Sequence, residues 1–214
     1  MVALPSSAEF MISSAIIEFN AGGPHQQDID LISRGTANDY IVSEIQEIKN
    51  PGLNDESRYM VDDPTSSMLL VTPDRTILGA GSRKTLRFVL LKEPDIAEHI
   101  FRVAIKPVIK GIQNDGKVGL KVLIGYEVLV IVRPTLARPS YKAARSGRRL
   151  QISNTGNTNI LFQNAQQCPP EPARCKAAPV ARVYPGEATT VTLPLDAPAT
   201  YSVWDGKEAK EARF

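Results

Sequence analysis

The longest stretch of alternating hydrophobic positions in this chain runs over 117–134, KVGLKVLIGYEVLVIVRP. Its even positions from 120 to 132 form one unbroken apolar face, whereas its odd positions begin polar and become apolar at Leu129 and Ile131. Period two combined with many β-branched residues predicts a strand rather than a helix. We expect the first half of this strand to be half-exposed and the second half to be buried on both faces.

Two interpretations of this strand follow from the pattern. The first is a central strand within the protein's own sandwich core. The second is a strand whose first apolar side chains, Leu120, Val122 and Ile124, are held available for another protein.

Shorter strand-like segments occupy the rest of the chain, and we assign strands to 9–20, 29–33, 40–50, 68–73, 85–90 and 99–109. The segment 40–50 also fits helical spacing, but its β-branched content and the following Pro51-Gly52 favour a strand. On 99–109, Phe101, Val103 and Ile105 are predicted to face inward. The segments 21–28 and 50–67 are interpreted as a turn and a polar loop.

The segment 135–149 is basic, contains Pro139 and has no apolar periodicity, so it is interpreted as the link between two domains, 1–134 and 135–214. Beyond it, turn signals recur at short intervals between short alternating runs, and nothing in 150–214 is typical of a helix. This pattern predicts an all-β protein with two β-sandwich domains.

Composition and charge narrow the class of function. The net charge of +2 and the 6% aromatic content do not favour binding to nucleic acid. No apolar run is long enough to span a bilayer. No basic residue precedes Arg34, so no signal peptide is recognised; the protein is either not exported or a mature form.

The two cysteines, Cys168 and Cys175, are separated by PPEPAR. This spacing differs from that of a redox motif or a zinc knuckle, and no second Cys/His pair completes a metal site. A disulfide that closes a small loop, and hence an oxidising compartment, is the favoured interpretation. Two free thiols in a cytosolic loop are the alternative.

Signatures of enzymes are nearly absent. His25 and His99 are not at ligand spacing from another histidine or cysteine, and no nucleophile–base pair can be named. We therefore expect no enzymatic activity, no required cofactor and no metal. Basic residues on strand faces, above all Arg102 and Lys106, are either solvated or able to bind a carboxylate group, for which arginine offers bidentate geometry.

A series of motifs resembles a known family. The motifs are FMI (10–12), YIVSEIQEIKNPG (40–52), LLVTPDRTILGAGSRKTLRF (69–88), FRVAIKPV (101–108), the strand ending at Arg133-Pro134, ISNTGN (152–157), Cys168 with Cys175, YPGE (184–187) and SVWDGK (202–207). In this order they resemble the periplasmic pilus-assembly chaperones of the chaperone–usher pathway, in the alternate branch and most like the common-pilus chaperones. The resemblance covers nearly the whole chain.

The resemblance implies two immunoglobulin-like domains in an L-shaped or boomerang arrangement, located in the periplasm. It implies donor-strand complementation, in which the chaperone lends a strand to an incomplete pilus (fimbrial) subunit, which it then delivers to the outer-membrane usher. By position relative to Arg133, the lent side chains are Leu120, Val122, Ile124 and Tyr126. An exposed apolar strand also favours self-association of free molecules.

The chain differs from the best-known branch in the residues that could bind the subunit's C-terminal carboxylate. In that branch an arginine near the N-terminus and a lysine late in the lent strand hold this group, and both are absent here. The candidates for the anchor are Arg102 and then Lys106. The alternative class of function is an exported immunoglobulin-like fimbrial subunit or adhesin domain.

Overall fold

The computed structural model describes residues 10–63, 67–108, 123–168 and 175–214, and all regular elements in these ranges are strands. The strands are β1 (Phe10–Ile12), β2 (Ile16–Phe19), β3 (Gln26–Ser33), β4 (Asp39–Lys49), β5 (Ser57–Met60), β6 (Leu69–Thr72), β7 (Arg75–Leu78), β8 (Arg83–Leu90), β9 (His99–Val108), β10 (Tyr126–Val132), β11 (Tyr141–Ser146), β12 (Arg149–Asn154), β13 (Ile160–Gln167), β14 (Lys176–Ala177), β15 (Ala181–Val183), β16 (Ala188–Thr192), β17 (Thr200–Trp204) and β18 (Ala209–Arg213). The prediction of an all-β fold is confirmed. Accordingly, these ranges contain no helix that could cross a membrane.

The strands β1 to β10 form the first sandwich. One sheet has the order β1-β3-β8-β6, and the other has the order β2-β10-β9-β4-β5 with β7 also paired to β4. Alternate side chains from the two sheets meet in one core, as expected for period-two strands. Phe101, Val103 and Ile105 of β9 lie in this core, which confirms their predicted inward orientation.

The second sandwich comprises β11 to β18. Its sheets have the orders β11-β12-β16 and β14-β13-β17-β18, with β15 also paired to β13. The core is separate from the first and is built around Phe162 and Tyr201, whose ring centroids lie 6.1 Å apart, with Tyr141 and Phe214 packed against Phe162. The two immunoglobulin-like sandwiches predicted from the sequence are therefore present.

Several strand assignments from the sequence need correction. The segment 9–20 contains two strands, β1 and β2, which belong to different sheets of the first sandwich. The supposed turn and loop at 21–28 and 50–67 contribute Gln26–Asp28 to β3 and all of β5, and β11 lies inside the supposed link. The missed parts, Gln26–Asp28, β5 and β11, lack the alternating large apolar residues on which the assignment relied.

The strand predicted over 117–134 is shorter where the structure describes it. Only Tyr126–Val132 form β10, and Leu123, Ile124 and Gly125 belong to no strand. Residues 117–122, which include Leu120 and Val122, lie outside the described residues.

Candidate functional site

The second half of β10 is sealed inside the protein. Val128, Val130 and Val132 are completely buried in the core of the first sandwich. On the opposite face, Leu129 and Ile131 belong to a small apolar cluster against which Tyr184 of the second sandwich packs. The prediction that this half is buried on both faces is confirmed.

The first half of β10 has one edge that is open among the described strands. β2 pairs in parallel with β10 only over Leu129–Val132, and the Leu129 amide donates to the Ala15 carbonyl at 2.9 Å. Because β1 has crossed to the other sheet, no described strand lies beside Tyr126–Val128 on this side. The opposite edge of β10 is paired with β9 along its whole length. The backbone on the open side can therefore accept a further strand.

The residues just before β10 continue this open edge. Ile124 is 41% exposed, which is high for an isoleucine, and Leu123 is half-buried. A Cβ at Gly125 would lie 2.9 Å from the carbonyl oxygen of Ile105, so the chain here runs directly against the backbone of β9. Ile124 is thus presented to solvent from a segment supported on one side.

Tyr126 marks the inner end of this segment. Its hydroxyl donates to the carbonyl of Phe10 at 3.0 Å, and its ring meets the Phe10 ring edge-on with centroids 5.2 Å apart. The side chain is half-buried against the first core. Tyr126, one of the four side chains predicted to be lent, is therefore anchored to the protein's own core.

Arg102 and Lys106 project from β9 onto the outer face of the same sheet, as expected. Lys106 Nζ donates to Glu44 Oε2 at 2.6 Å. Arg102 Nε lies 3.6 Å from Glu127 Oε1, while Arg58 donates to the other oxygen of Glu127 at 3.2 Å. Lys106 is therefore matched by one carboxylate, whereas Arg102 and Arg58 share one.

Arg102 also lies near the second sandwich. Burial raises the pKa of the Tyr184 hydroxyl, while the positive charges of Arg182 and Arg102 act in the opposite direction. Arg102 and Arg58 together carry one more positive charge than the single carboxylate that they share, whereas Lys106 and Glu44 form a neutral pair.

A buried polar cluster joins the two sandwiches, and sequence analysis missed it. Arg133 was noted only as the end of a strand, yet its side chain is 3% exposed. Its Nη1 lies close to the Thr158 hydroxyl and within 3.0 Å and 3.3 Å of the carbonyl oxygens of Asn159 and Asp205. All three residues belong to the second sandwich.

Two carboxylates of the first sandwich complete this interdomain cluster. Glu98 Oε2 lies 3.5 Å from Arg133 Nη1 and accepts from the Thr158 hydroxyl at 2.6 Å and from Asn159 Nδ2 at 2.7 Å. Burial raises the pKa of Glu98, although Thr158, Arg133 and Asn159 all favour its charged form. The second carboxylate belongs to Glu18 of β2.

Glu18 is held mainly by donors from the second sandwich. Arg182 Nη1 lies 3.4 Å from Glu18 Oε1, and Trp204 Nε1 donates to Glu18 Oε2 at 3.2 Å. Arg133 Nη2 lies 3.3 Å from Glu18 Oε2. Because β2 flanks β10, these contacts couple the position of the β2 edge to the second sandwich.

Gly206 leaves the space that the Arg133 side chain occupies in this cluster. Its φ is +97°, and a Cβ there would lie 2.2 Å from Arg133 Nε. A side chain would therefore strain the backbone and displace the guanidinium group. In the sequence this contact left two local traces, Gly206 in the SVWDGK motif and Arg133 after a stretch that is apolar at every position, but neither trace identifies the other as its partner.

The remaining candidate chemistry is limited. His99 Nδ1 lies 2.8 Å from Glu47 Oε1, and His25 Nε2 lies 3.2 Å from Glu93 Oε1. Within the ranges that the structure describes, no group of three or more His, Cys, Asp or Glu side chains could hold a metal ion. Cys168 and Cys175 form the predicted disulfide.

Comparison with known sequences identifies two fimbrial relatives. The chain is 30% identical over 177 residues to a CS1 fimbrial subunit of Escherichia coli, covering 78% of this chain and 72% of that protein. It is 31% identical over 176 residues to a CFA/I fimbrial subunit of Escherichia coli, with the same coverage. No protein-family model matches the chain.

Solved structures with the same fold are pilus chaperones. The class 5 fimbriae chaperone CfaA superposes with a TM-score of 0.64 at 23% identity, over 95% of this chain and 98% of that one. A chain from the Salmonella enterica complex of SafA pilin with the SafB chaperone superposes with a TM-score of 0.65 at 14% identity, over 99% and 98%. These structures define the class: a two-sandwich chaperone fold that extends over the whole chain.

The chain belongs to the family of these Escherichia coli fimbrial proteins, and its fold is that of the pilus-assembly chaperones of the chaperone–usher pathway. The resemblance inferred from its motifs is thereby confirmed. Both sequence relatives have names that describe fimbrial subunits, but the fold of the entire chain is that of the chaperones. The alternative of a fimbrial subunit or adhesin domain is therefore not supported.

Proposed function

We propose that this protein binds pilus subunits in the periplasm by lending them, as a strand, the segment that leads into β10, and then delivers them to the outer-membrane usher. The observation that carries this proposal is the open edge of β10 before Leu129, beside an exposed Ile124. An incomplete immunoglobulin-like subunit would pair its own strand with this edge through main-chain hydrogen bonds.

Leu120, Val122 and Ile124 are the side chains proposed to enter the subunit's groove. They alternate along the chain, so one face of an extended segment carries all three. Their burial would contribute roughly 5–9 kcal/mol as an upper bound. Tyr126, which is held by Phe10, would fix the inner end of the lent segment.

Arg102 is proposed as the anchor for the subunit's terminal carboxylate, ahead of Lys106. Arg102 shares Glu127 with Arg58 and so retains uncompensated positive charge, whereas Lys106 is paired with Glu44. A bidentate carboxylate at Arg102 would set the register of the added strand. The register in turn decides which side chains enter the groove.

The periplasm is proposed as the site of action on two grounds. The disulfide between Cys168 and Cys175 is typical of an oxidising compartment. A structural neighbour with a TM-score of 0.61, SfaE, is a periplasmic chaperone. The chaperones of this fold also support the absence of an enzymatic role.

The experiment that tests strand donation compares two double variants. Leu120→Asp/Ile124→Asp places charge on the lent face, whereas Leu91→Asp/Val180→Asp changes two other exposed apolar residues. Each variant is co-expressed with a fimbrial subunit from the same gene cluster, and the complex is isolated by affinity purification. We expect the first variant to fold, as judged by circular dichroism, but to lose its partner, and the second to retain it. If both variants retain the partner, strand donation is refuted.

A further inference from the structure

The positive charge of the chain is concentrated in one hairpin of the second sandwich. Of the 25 Lys and Arg residues, five lie within 138–149, a segment without any Asp or Glu. The rest of the chain has 20 basic residues against 23 acidic ones and is slightly negative. The net charge of +2 therefore conceals a strongly basic segment.

The fold places this segment in β11 and β12, which are joined by the turn Gly147-Arg148. With β16 they form a three-stranded sheet, one face of which is turned to solvent. The cross-strand rows on that face are Lys142 with Ser153 and Ala188, Ala144 with Gln151 and Thr190, and Ser146 with Arg149 and Thr192. This basic face has two cations, no carboxylate and no large apolar side chain.

Of the four basic residues in β11, β12 and their turn, two are bound within the protein and the two on the basic face are not. Arg145 donates to Asp196 at 3.0 Å, and Arg148 Nε donates to the carbonyl of Leu193 at 2.8 Å. Within the described residues, no carboxylate pairs with Lys142 or Arg149. The two cations on the solvent side are therefore free to contact an external anion.

An apolar groove lies at the beginning of this hairpin. Ile96 and Leu136 are 65% and 56% exposed, and both line a groove of about 350 Å³ together with Arg138 and Ser140. Ser140 immediately precedes β11. Exposed aliphatic side chains thus adjoin the basic segment.

We propose that this hairpin docks the protein onto an anionic phospholipid surface. Between Lys142 and Arg149 this face carries small Ser, Thr, Ala and Gln side chains and lacks the large aromatic or aliphatic groups that usually anchor a protein partner. A bilayer needs no such pocket, because its phosphates form a continuous anionic layer that attracts Lys and Arg. Ile96 and Leu136 would add aliphatic contacts at the level of the headgroups. This proposal does not depend on strand donation.

Vesicle flotation tests the proposal. The protein is mixed with vesicles of phosphatidylcholine and phosphatidylglycerol, or with vesicles of phosphatidylcholine alone. We expect binding to the anionic vesicles only, and progressive loss of binding as salt is raised. Lys142→Glu/Arg149→Glu should reduce the partition coefficient by at least about tenfold, since each basic residue contributes substantially at such a surface.

The matched control is Lys84→Glu/Lys92→Glu, which makes the same change in charge at exposed positions of the first sandwich. It should bind anionic vesicles far better than the hairpin variant, and both variants should still co-purify with a pilus subunit. Equal loss in the two variants would overturn the proposal, because net charge alone would then explain binding. Failure of the wild-type protein to bind anionic vesicles at low salt would also overturn it.

Discussion

Replacing Arg133 by Met is expected to destabilise the protein by about 3–5 kcal/mol, because it leaves a buried carboxylate without its cation. The side chains of Arg133 and Glu98 are only 3% and 1% exposed, so water cannot replace the lost partner. Thr158 and Asn159 would still donate to Glu98, but they are neutral. The loss is a large fraction of the free energy of unfolding of a typical domain, about 5–15 kcal/mol.

Urea denaturation followed by the fluorescence of Trp204 measures this effect. Trp204 is the single tryptophan and donates to Glu18 within the interdomain cluster, so its emission reports on that cluster. Arg133→Met/Glu98→Gln removes both charges and should be less destabilised than the sum of its single variants, by about 1–3 kcal/mol. The control, Arg145→Met, removes an exposed ion pair and should cost no more than about 1 kcal/mol. A cost at Arg133 no larger than at Arg145 would refute the reasoning.

Three further predictions concern the same architecture. Because burial raises the pKa of Glu98, the folded protein binds the Glu98 proton more tightly than the unfolded chain does. The resulting stabilisation is lost as the pH rises from about 4.3, the ordinary pKa of a glutamate, towards the pKa of Glu98 in the folded protein. Glu98→Gln should remove this pH dependence of the free energy of unfolding, as measured by urea titrations at several pH values. Gly206→Ala should lower the urea midpoint more than Gly186→Ala, since both have positive φ but only Gly206 lacks room for a Cβ. Cys168→Ser/Cys175→Ser should cost roughly 2.5 kcal/mol through the loss of a short closed loop, and reduction of the wild-type protein should give the same loss.

The parts of the fold that the sequence predicts well are those with alternating apolar side chains. β9 alternates from Phe101 to Lys106, and the buried and more exposed positions of that stretch follow the pattern. The second half of β10 is apolar at every position and is buried on both faces. In these strands the local pattern and the tertiary environment agree, so the assignment needs no knowledge of distant contacts.

The strands that were missed are stabilised by neighbours rather than by their own pattern. β5, with the sequence SRYM, lies at the edge of its sheet and is mostly exposed. β11 places Tyr141, Ala143 and Arg145 on its inner side, where only the first is a large apolar residue. A strand of this kind is defined by hydrogen bonds to its partner, which a single-sequence pattern does not contain.

The crossing of the N-terminal strand between sheets also has a local cause. Just after β1 the Ser13 hydroxyl accepts a hydrogen bond from the amide of Asp30 at 2.9 Å, and Ser14 Oγ donates to the carbonyl of Ile16 at the start of β2. Such serine side-chain bonds compete with a continuous ladder. The Ser13-Ser14 pair was therefore a signal for the break that opens the edge of β10.

The interdomain cluster could not be predicted, because its contacts join residues far apart in the sequence. Arg133 and Asp205 are 72 positions apart, and Glu18 and Trp204 are 186 apart. A charged residue that follows an apolar strand normally indicates the return of the chain to solvent. Here the approach of the second sandwich buries it.

Hydrogen exchange of the main-chain amides tests strand donation most directly. Exchange over 120–128 is compared between the free protein and its complex with a pilus subunit, with Ala209–Arg213, the edge strand of the second sandwich, as the internal reference. Strand donation predicts much slower exchange over 120–128 in the complex and unchanged exchange over 209–213. Formation of a stable complex with no added protection over 120–128 would contradict it.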